Sequence, residues 1–278
     1  MTGLAHVCHG DLARPRGAGR VSDAPFVGLT AILFGTSAML TTCWSRSMSA
    51  MPAMPMPGGW TMSMTWMRTP GATWIGAGTS FLEMWVVMMV AMMLPVLAPA
   101  LWRYRQSFSP TDWRSRDWLT TIAGGGYFVV WTVVGVVVYS VGSLLATTAM
   151  DRPDVARLVP TATGVVVIGA GLLQLSAWKA RRLAACREHP EHSPPHAEDA
   201  RSAWRHGVRL GRHCGLACAN LMAIALVLGV MDVRPMAIVA AAITIERLGP
   251  TRANARRPLG GAVVGLGLVL LARAAGLG

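Results

Sequence analysis

Charged residues are scarce in this chain of 278 residues. They make up 14% of the sequence, whereas hydrophobic residues account for 53%, and a soluble domain carries about 25% charged residues. The composition therefore excludes an ordinary soluble domain and favours a chain that lies in a lipid bilayer.

Recognisable catalytic sets are also missing. The chain has no Ser/His/Asp arrangement, zinc-protease helix or pair of catalytic carboxylates, and Gly124-Gly125-Gly126 precedes no phosphate-loop lysine. The five cysteines are scattered (Cys8, Cys43, Cys186, Cys214 and Cys218), and their spacing does not suggest a disulfide framework. We therefore expect neither an enzyme nor a nucleotide-binding protein.

The sequence contains long apolar segments instead of such motifs. A helix needs about 20 apolar residues to cross a bilayer, and five segments reach this length easily, while two shorter ones near the C-terminus require thin or tilted spans. We predict an all-α fold, a polytopic bundle of about seven transmembrane helices formed by residues 25–278, after a cytoplasmic tail at 1–24. The predicted spans are 25–43, 79–101, 119–148, 159–178, 214–231, 235–248 and 258–275.

Acidic residues are few, 13 against 25 basic ones, which gives a net charge of +12. If all seven segments cross the membrane, 19 of the basic residues fall on one side and six on the other. This distribution follows the positive-inside rule with the N-terminus inside, so the basic excess indicates topology and not nucleic acid binding. We predict a multi-pass protein of the bacterial inner (plasma) membrane.

Three of the connections between the predicted spans are informative, two long loops and one short link. The outer loop 45–77 is rich in methionine, and the basic inner loop 179–212 contains proline and histidine and is expected to be irregular, with its histidines solvated. The four-residue link 231–234 predicts an antiparallel hairpin of the fifth and sixth spans. Glu246 should then lie near Cys214 and Cys218, as a counter-charge to Arg212 or Arg247 or as a metal ligand.

Cys214 and Cys218 are four residues apart, so a helix would present both thiols on one face. His213 precedes them, and Met222 follows one turn later on the same face. Two thiolates suffice for linear Cu(I), whereas a tetrahedral zinc site needs more ligands. The alternative interpretation is that both cysteines are small buried hydrophobic residues.

Methionines are concentrated in two places. Seven occur within twenty residues of the outer loop, where neutral thioethers would select Cu(I) or Ag(I), and three more follow i, i+4, i+8 spacing on the second span. The alternative is that they fill gaps between helices or form an apolar surface. These candidate ligands are Met48, Met51, Met54, Met56, Met62, Met64 and Met67 in the loop, and Met84, Met88 and Met92 on the span. On the last span, Gly261 and Gly265 predict a helix contact.

Several pieces of the chain, taken in order between residues 81 and 267, resemble a bacterial family of predicted metal-binding integral membrane proteins, a domain of unknown function. The pieces are Trp85-Val-Val-Met88-Met-Val-Ala91-Met92-Met93-Leu94-Pro95, Gln174-Leu-Ser-x-x-Lys179, Cys186-Arg187, Cys214-x-x-x-Cys218 with Leu221-Met222, Gly229-Val230-Met231, Met236-Ala237 and Glu246-Arg247-Leu248. The family commonly has a further Cys and a Trp where Ala217 and Ala219 stand here. The resemblance implies a membrane fold and metal binding, with no established reaction.

These observations predict a membrane protein that binds a soft metal, foremost copper as Cu(I) and zinc second, for uptake, relay or homeostasis. Its partners would be lipid, the metal ion, and a metallochaperone or a membrane protein. The alternative is a non-catalytic accessory or assembly protein in which Met and Cys serve packing only.

Overall fold

The computed structural model describes residues 23–50, 54–66, 73–108, 113–181, 199–229, 232–248 and 252–276. Within these ranges a two-stranded antiparallel hairpin and a 3-10 turn (Met64–Trp66) lie between the first two long helices, and residues 177–181 form a short helical segment. The prediction of an all-α fold is confirmed. The helices and strands are α1 (Ala24–Ser49), β1 (Met54–Met56), β2 (Trp60–Met62), α2 (Trp74–Gln106), α3 (Trp113–Asp151), α4 (Pro153–Leu175), α5 (Ala200–Gly229), α6 (Val233–Leu248) and α7 (Arg252–Ala274).

Local sequence signals explain where several helices begin and end. The Thr73 hydroxyl accepts a hydrogen bond from the Gly76 N–H at 3.1 Å and caps α2. Pro153 opens α4, where its missing N–H costs no helical hydrogen bond. Gly229 ends α5 with φ of +135°, and its carbonyl accepts the Asp232 N–H at 3.2 Å, so the chain turns directly into α6.

Six helices of the described chain, all except α6, are long and apolar enough to cross a bilayer. Their outward faces carry large apolar side chains, such as Val133, Val137, Leu144 and Leu145 on α3, each more than half exposed. An apolar surface of this extent is unusual for a soluble monomer and is consistent with a membrane protein. The segment predicted as the sixth span lies on α6, which has 16 residues.

Both long loops contain more regular structure than predicted. Helices α1 and α2 extend into the predicted outer loop 45–77, and β1 and β2 form a hairpin within it. Residues 200–212, predicted as irregular, are the first turns of α5. There Ala203, Gly207 and Gly211 lie on one buried face; because this face is built from small residues, it gives a weak hydrophobic signal.

Helices α3 and α5 approach each other closely because glycines face both sides of their contact. A Cβ added to Gly126 would lie 2.7 Å from the Trp204 carbonyl oxygen, and one added to Gly207 would overlap the Ala123 carbonyl. Real side chains do not tolerate such contacts, so these positions require glycine. Small residues that let helix backbones meet are typical of helix packing in membranes.

Helices α4 and α7 also meet through glycines, although not through the predicted pair. A Cβ at Gly261 or Gly265 would have no neighbour within 4 Å, so the prediction of a contact there is wrong. Gly260 and Gly267 face α4 instead, against Leu175 and Ile168. Spacing alone identified a small-residue motif but could not say which face of α7 meets α4.

The glycine at position 207 provides a test of the α3–α5 contact. We predict that Gly207→Ala lowers the stability of the protein by about 1–3 kcal/mol, the usual cost of overpacking, because the added methyl group overlaps the α3 backbone. Thermal unfolding in detergent measures the change. Gly215→Ala is the matched control on the same helix, since a Cβ there meets nothing within 4 Å; equal effects of the two substitutions would contradict the prediction.

Candidate metal centre

Two free thiols lie together in the core of the bundle. The Sγ atoms of Cys214 and Cys218 are 3.9 Å apart, and each residue is only 2% exposed. With metal–sulfur bonds of about 2.3 Å, one ion can join sulfurs up to about 4.6 Å apart. The observed separation therefore allows both thiols to bind the same ion.

Tyr127 on α3 contacts the thiol pair through its hydroxyl group. Its hydroxyl donates a hydrogen bond to Cys214 Sγ at 3.1 Å, and the residue is fully buried. The contact exists because the glycine-lined approach of α3 and α5 brings the two backbones together. A phenol donor at this distance stabilises negative charge on the sulfur.

Arg247 approaches the thiols from α6. Its Nη2 atom lies 3.8 Å from Cys218 Sγ and donates to the Cys214 carbonyl at 3.4 Å. The α5–α6 hairpin produces this proximity, because the short connection returns the end of α6 to the thiols, as the sequence predicted. The guanidinium places a positive charge beside the two sulfurs.

A buried polar network adjoins the thiols on the side of α4. Lys179 Nζ donates to Asn220 Oδ1 at 2.8 Å and lies 3.3 Å from Glu246 Oε2. Gln174 donates to the other Glu246 oxygen and accepts from Asn220 at 2.6 Å. Every member of the network is buried, and each has partners, as buried polar groups require.

The Lys179 ammonium is held in this network as part of an ion pair. Burial lowers the pKa of Lys179 from its ordinary value, and the neighbouring Glu246 carboxylate opposes that shift. Both oxygens of Glu246 are engaged by Lys179 and Gln174. The structure thus places Glu246 near the thiols but in a hydrogen-bonded ion pair.

The other candidate ligands near the thiols occupy different positions. Met222 is buried on α5 one turn after Cys218, in the same core. His213 is half-buried, and its side chain leaves the helix about 100° around from that of Cys214. Among described residues, no three His, Cys, Asp or Glu side chains come together as a metal-binding group.

The methionine stripe of α2 enters the core only in part. Met88 and Met92 are buried, whereas Met84 is half-buried at the core edge. Together with Met236 of α6, Met88 and Met92 line a groove of about 520 Å³ between α1, α2 and α6. The structure therefore places Met88 and Met92 in one groove with the thioether of Met236, for which the sequence predicted no role.

The outer-loop methionines are divided between packing and half-exposed positions. Met56 and Met62, on the β1–β2 hairpin, are buried against Ala146, Ala149 and Ala156, in agreement with the alternative that methionines of this loop serve packing. Met48 and Met54 are half-buried. Met51, Met67 and the side chain of Met64 lie outside the described residues.

A comparison with protein families identifies the chain. A family model described as a copper chaperone, PpoB2, matches residues 82–270, more than half of the chain. The chain belongs to the PpoB2 copper chaperone family. The predicted relation to copper is confirmed, over nearly the range of the resemblance. No curated protein and no solved structure matches the chain significantly.

The matched copper chaperone region contains the thiols, the phenol, the guanidinium and the buried network. The sequence pattern did not indicate a role for Tyr127, Lys179, Gln174 or Asn220, although polar residues within apolar segments are costly and signal a function or a partner. Lys179 and Gln174 belong to one motif and Arg247 to another, but only the fold shows that these motifs meet.

The buried ion pair of Lys179 and Glu246 generates a prediction about stability. We expect Lys179→Met to destabilise the protein by about 3–5 kcal/mol, because Glu246 would remain buried without its cation. Adding Glu246→Gln should recover part of that loss, since the double variant buries no unpaired charge. Unfolding in detergent of both single variants and the double variant gives the coupling energy; purely additive effects would contradict the ion-pair account.

Proposed function

We propose that this chain is an integral membrane copper chaperone that carries Cu(I) as cargo between the thiolates of Cys214 and Cys218. The observation that carries the proposal is the pair of buried sulfurs 3.9 Å apart, inside a chain of the copper chaperone family. Its role is to bind and transfer the ion, without catalysis.

The chemistry of the donors favours Cu(I). Thiolates and thioethers are soft ligands that select Cu(I) over harder cations, and Cu(I) accepts two or three of them. Cys214 and Cys218 would provide the thiolates, with the buried thioether of Met222 one turn away. The Tyr127 hydrogen bond and the Arg247 charge would offset the negative charge of the sulfurs.

The groove between α1, α2 and α6 supports a route by which the copper ion would reach the buried thiols. The groove follows α6 from Val233 to Ile245, over a length of about 18 Å, and ends two residues before Arg247. Met88, Met92 and Met236 would pass the ion along this groove. Outer-loop methionines such as Met48 and Met54 would supply it at the start of the route.

The placement of the charged residues supports the proposed position of the chain in a membrane. Charge placement supports an N-terminus inside the cell and a multi-pass protein in the bacterial inner membrane. In this arrangement the thiols lie toward the inner side, and the methionines of the β1–β2 hairpin lie toward the outer side. A metallochaperone or a membrane protein would exchange copper with the chain.

A second candidate function is that of a membrane accessory protein in which sulfur residues only pack. The burial of Met56 and Met62 against alanines favours this reading for the hairpin. It does not explain why a phenol and a guanidinium both contact the thiol pair. We therefore retain it for Met56 and Met62 and not for the cysteines.

We predict that Cys214→Ser combined with Cys218→Ser abolishes Cu(I) binding of about one ion per chain, because both thiolates are lost while the volume changes little. Metal analysis of the purified protein after loading with Cu(I) measures the stoichiometry. Cys43→Ser is the matched control, since Cys43 is exposed on α1 and should leave binding unchanged. Equal copper content in the double variant and the native protein would refute the thiol site.

The methionine route predicts a kinetic effect. Met88→Leu, Met92→Leu and Met236→Leu, made together, keep the apolar volume but remove the thioethers from the groove. We expect slower loading of the thiols by Cu(I), by about tenfold or more, with final stoichiometry unchanged. Stopped-flow loading measures the rate. Met89→Leu with Met93→Leu is the control, because these buried residues do not line the groove; equal rates in both sets would argue against the route.

A further inference from the structure

We infer that an exposed row of arginines on α5 binds the phosphate groups of anionic phospholipids in the inner leaflet of the membrane. This arginine stripe consists of Arg201, Arg205, Arg209 and Arg212, all of them exposed. The inference goes beyond copper binding and rests only on the membrane position proposed above, in which the first turns of α5 lie on the inner side.

The arginine stripe occupies one side of its helix. Because successive residues of an α-helix are rotated by about 100°, the spacing of the four arginines places them within a sector of about 80° and over a length of about 17 Å. The opposite side of the same turns carries Ala203, Gly207 and Gly211, which are buried, and the two glycines face the α3 backbone. The arginines therefore point away from the bundle.

The positive charge of the arginine stripe is not neutralised by the part of the chain that the structure describes. Helix α5 contains no Asp or Glu. The ion pairs among the described residues belong to Arg105, Arg116 and Lys179, and none includes an arginine of the stripe. Four positive charges of one helix face are therefore available to an external anion, and guanidinium groups bind phosphate through paired hydrogen bonds.

The continuation of the stripe along α5 favours lipid as the source of that phosphate. Beyond Arg212 the same side of the helix carries Leu216 and Ala219, which are exposed and apolar. Within a bilayer such a side faces acyl chains, so Arg212, one turn before Leu216, lies at the level of the headgroups. The long side chains of the other arginines extend toward the same layer.

Trp204 supports the same position of α5. It lies beside the arginine stripe and is 41% exposed, and a Cβ added to Gly125 of α3 would lie 3.8 Å from its ring. Tryptophan side chains are enriched at the membrane–water interface. Groups of about four to eight basic residues just inside a membrane helix are typical of binding to anionic lipids. The tryptophan and the arginines thus indicate one depth for this end of the helix.

The test titrates lipid into the full-length protein, delipidated in detergent, and counts bound lipid by native mass spectrometry. The probes are phosphatidylglycerol, which is anionic, and phosphatidylcholine with the same acyl chains. We expect the native protein to bind phosphatidylglycerol about tenfold or more tightly than phosphatidylcholine. Replacing all four arginines of the stripe by glutamine should abolish most of this preference, whereas replacing them by lysine, which keeps the charge, should retain most of it.

Four exposed arginines on the predicted outer side provide a matched control, because their replacement by glutamine removes the same charge. This control should leave the lipid preference unchanged, and its positions are Arg152, Arg157, Arg234 and Arg273. Thermal unfolding shows whether each variant folds. Where the fourfold glutamine variant does not, Arg205→Gln combined with Arg209→Gln should still lower the preference by about threefold or more.

Several results would overturn the inference. They are equal binding of both lipids by the native protein, an unchanged preference in a folded glutamine variant, and the same loss in the outer control. Binding of soluble glycerol phosphate as tight as that of the lipid would show that the stripe recognises free phosphate instead. Tighter binding of polyglutamate than of phosphatidylglycerol would point to an acidic protein and would also overturn the inference.

Copper content separates this inference from the proposed function. Cys214 and Cys218 lie on the buried side of α5, away from the stripe, so the glutamine variants should still bind about one Cu(I) per chain. A native protein that prefers the anionic lipid but binds no copper would refute the thiol site and support the lipid surface. Copper binding without any lipid preference would refute the lipid surface alone.

Discussion

The close approach of α3 and α5 is the constraint on which the rest of the site depends. Gly126 and Gly207 remove the side chains that would otherwise separate the two helices. Tyr127 follows Gly126 on α3, and its hydroxyl can then reach Cys214 on α5. The same face of α5 continues from these small residues to the two cysteines. Asn220 lies on a different face of α5, toward α4, and links the helix to the buried polar network.

The polar groups around the thiols form a connected set in an otherwise apolar core. The short connection from α5 to α6 brings Arg247 to the sulfurs and Glu246 to Lys179. Gln174 at the end of α4, and Lys179 just after it, then bond to Asn220 on α5. Because buried polar groups are tolerated only with partners, each helix that contributes one is held in register by the others. The contacts that position the site therefore also hold α3, α4, α5 and α6 together.

The sequence predicted the helices well and the site only in part. Apolar length and the arginine distribution indicated seven helical segments and their order, and the four-residue link indicated that α6 returns to the cysteines. The start of α5 was missed because its buried face consists of Ala203, Gly207 and Gly211, which carry little hydrophobic signal. Tyr127 and Lys179 were missed because they lie far from Cys214 along the chain, and only tertiary packing brings them to the thiols. Periodicity likewise identified the methionine stripe of α2 but not its junction with Met236.

X-ray absorption spectroscopy at the copper edge tests the central claim, that Cys214 and Cys218 share one Cu(I) ion. The account predicts a copper shell dominated by sulfur in the loaded native protein, with the edge position of Cu(I). That sulfur shell should disappear when both cysteines are replaced by serine and persist when Cys43 is replaced. A native spectrum with only nitrogen or oxygen neighbours, or one that the double replacement leaves unchanged, would contradict it.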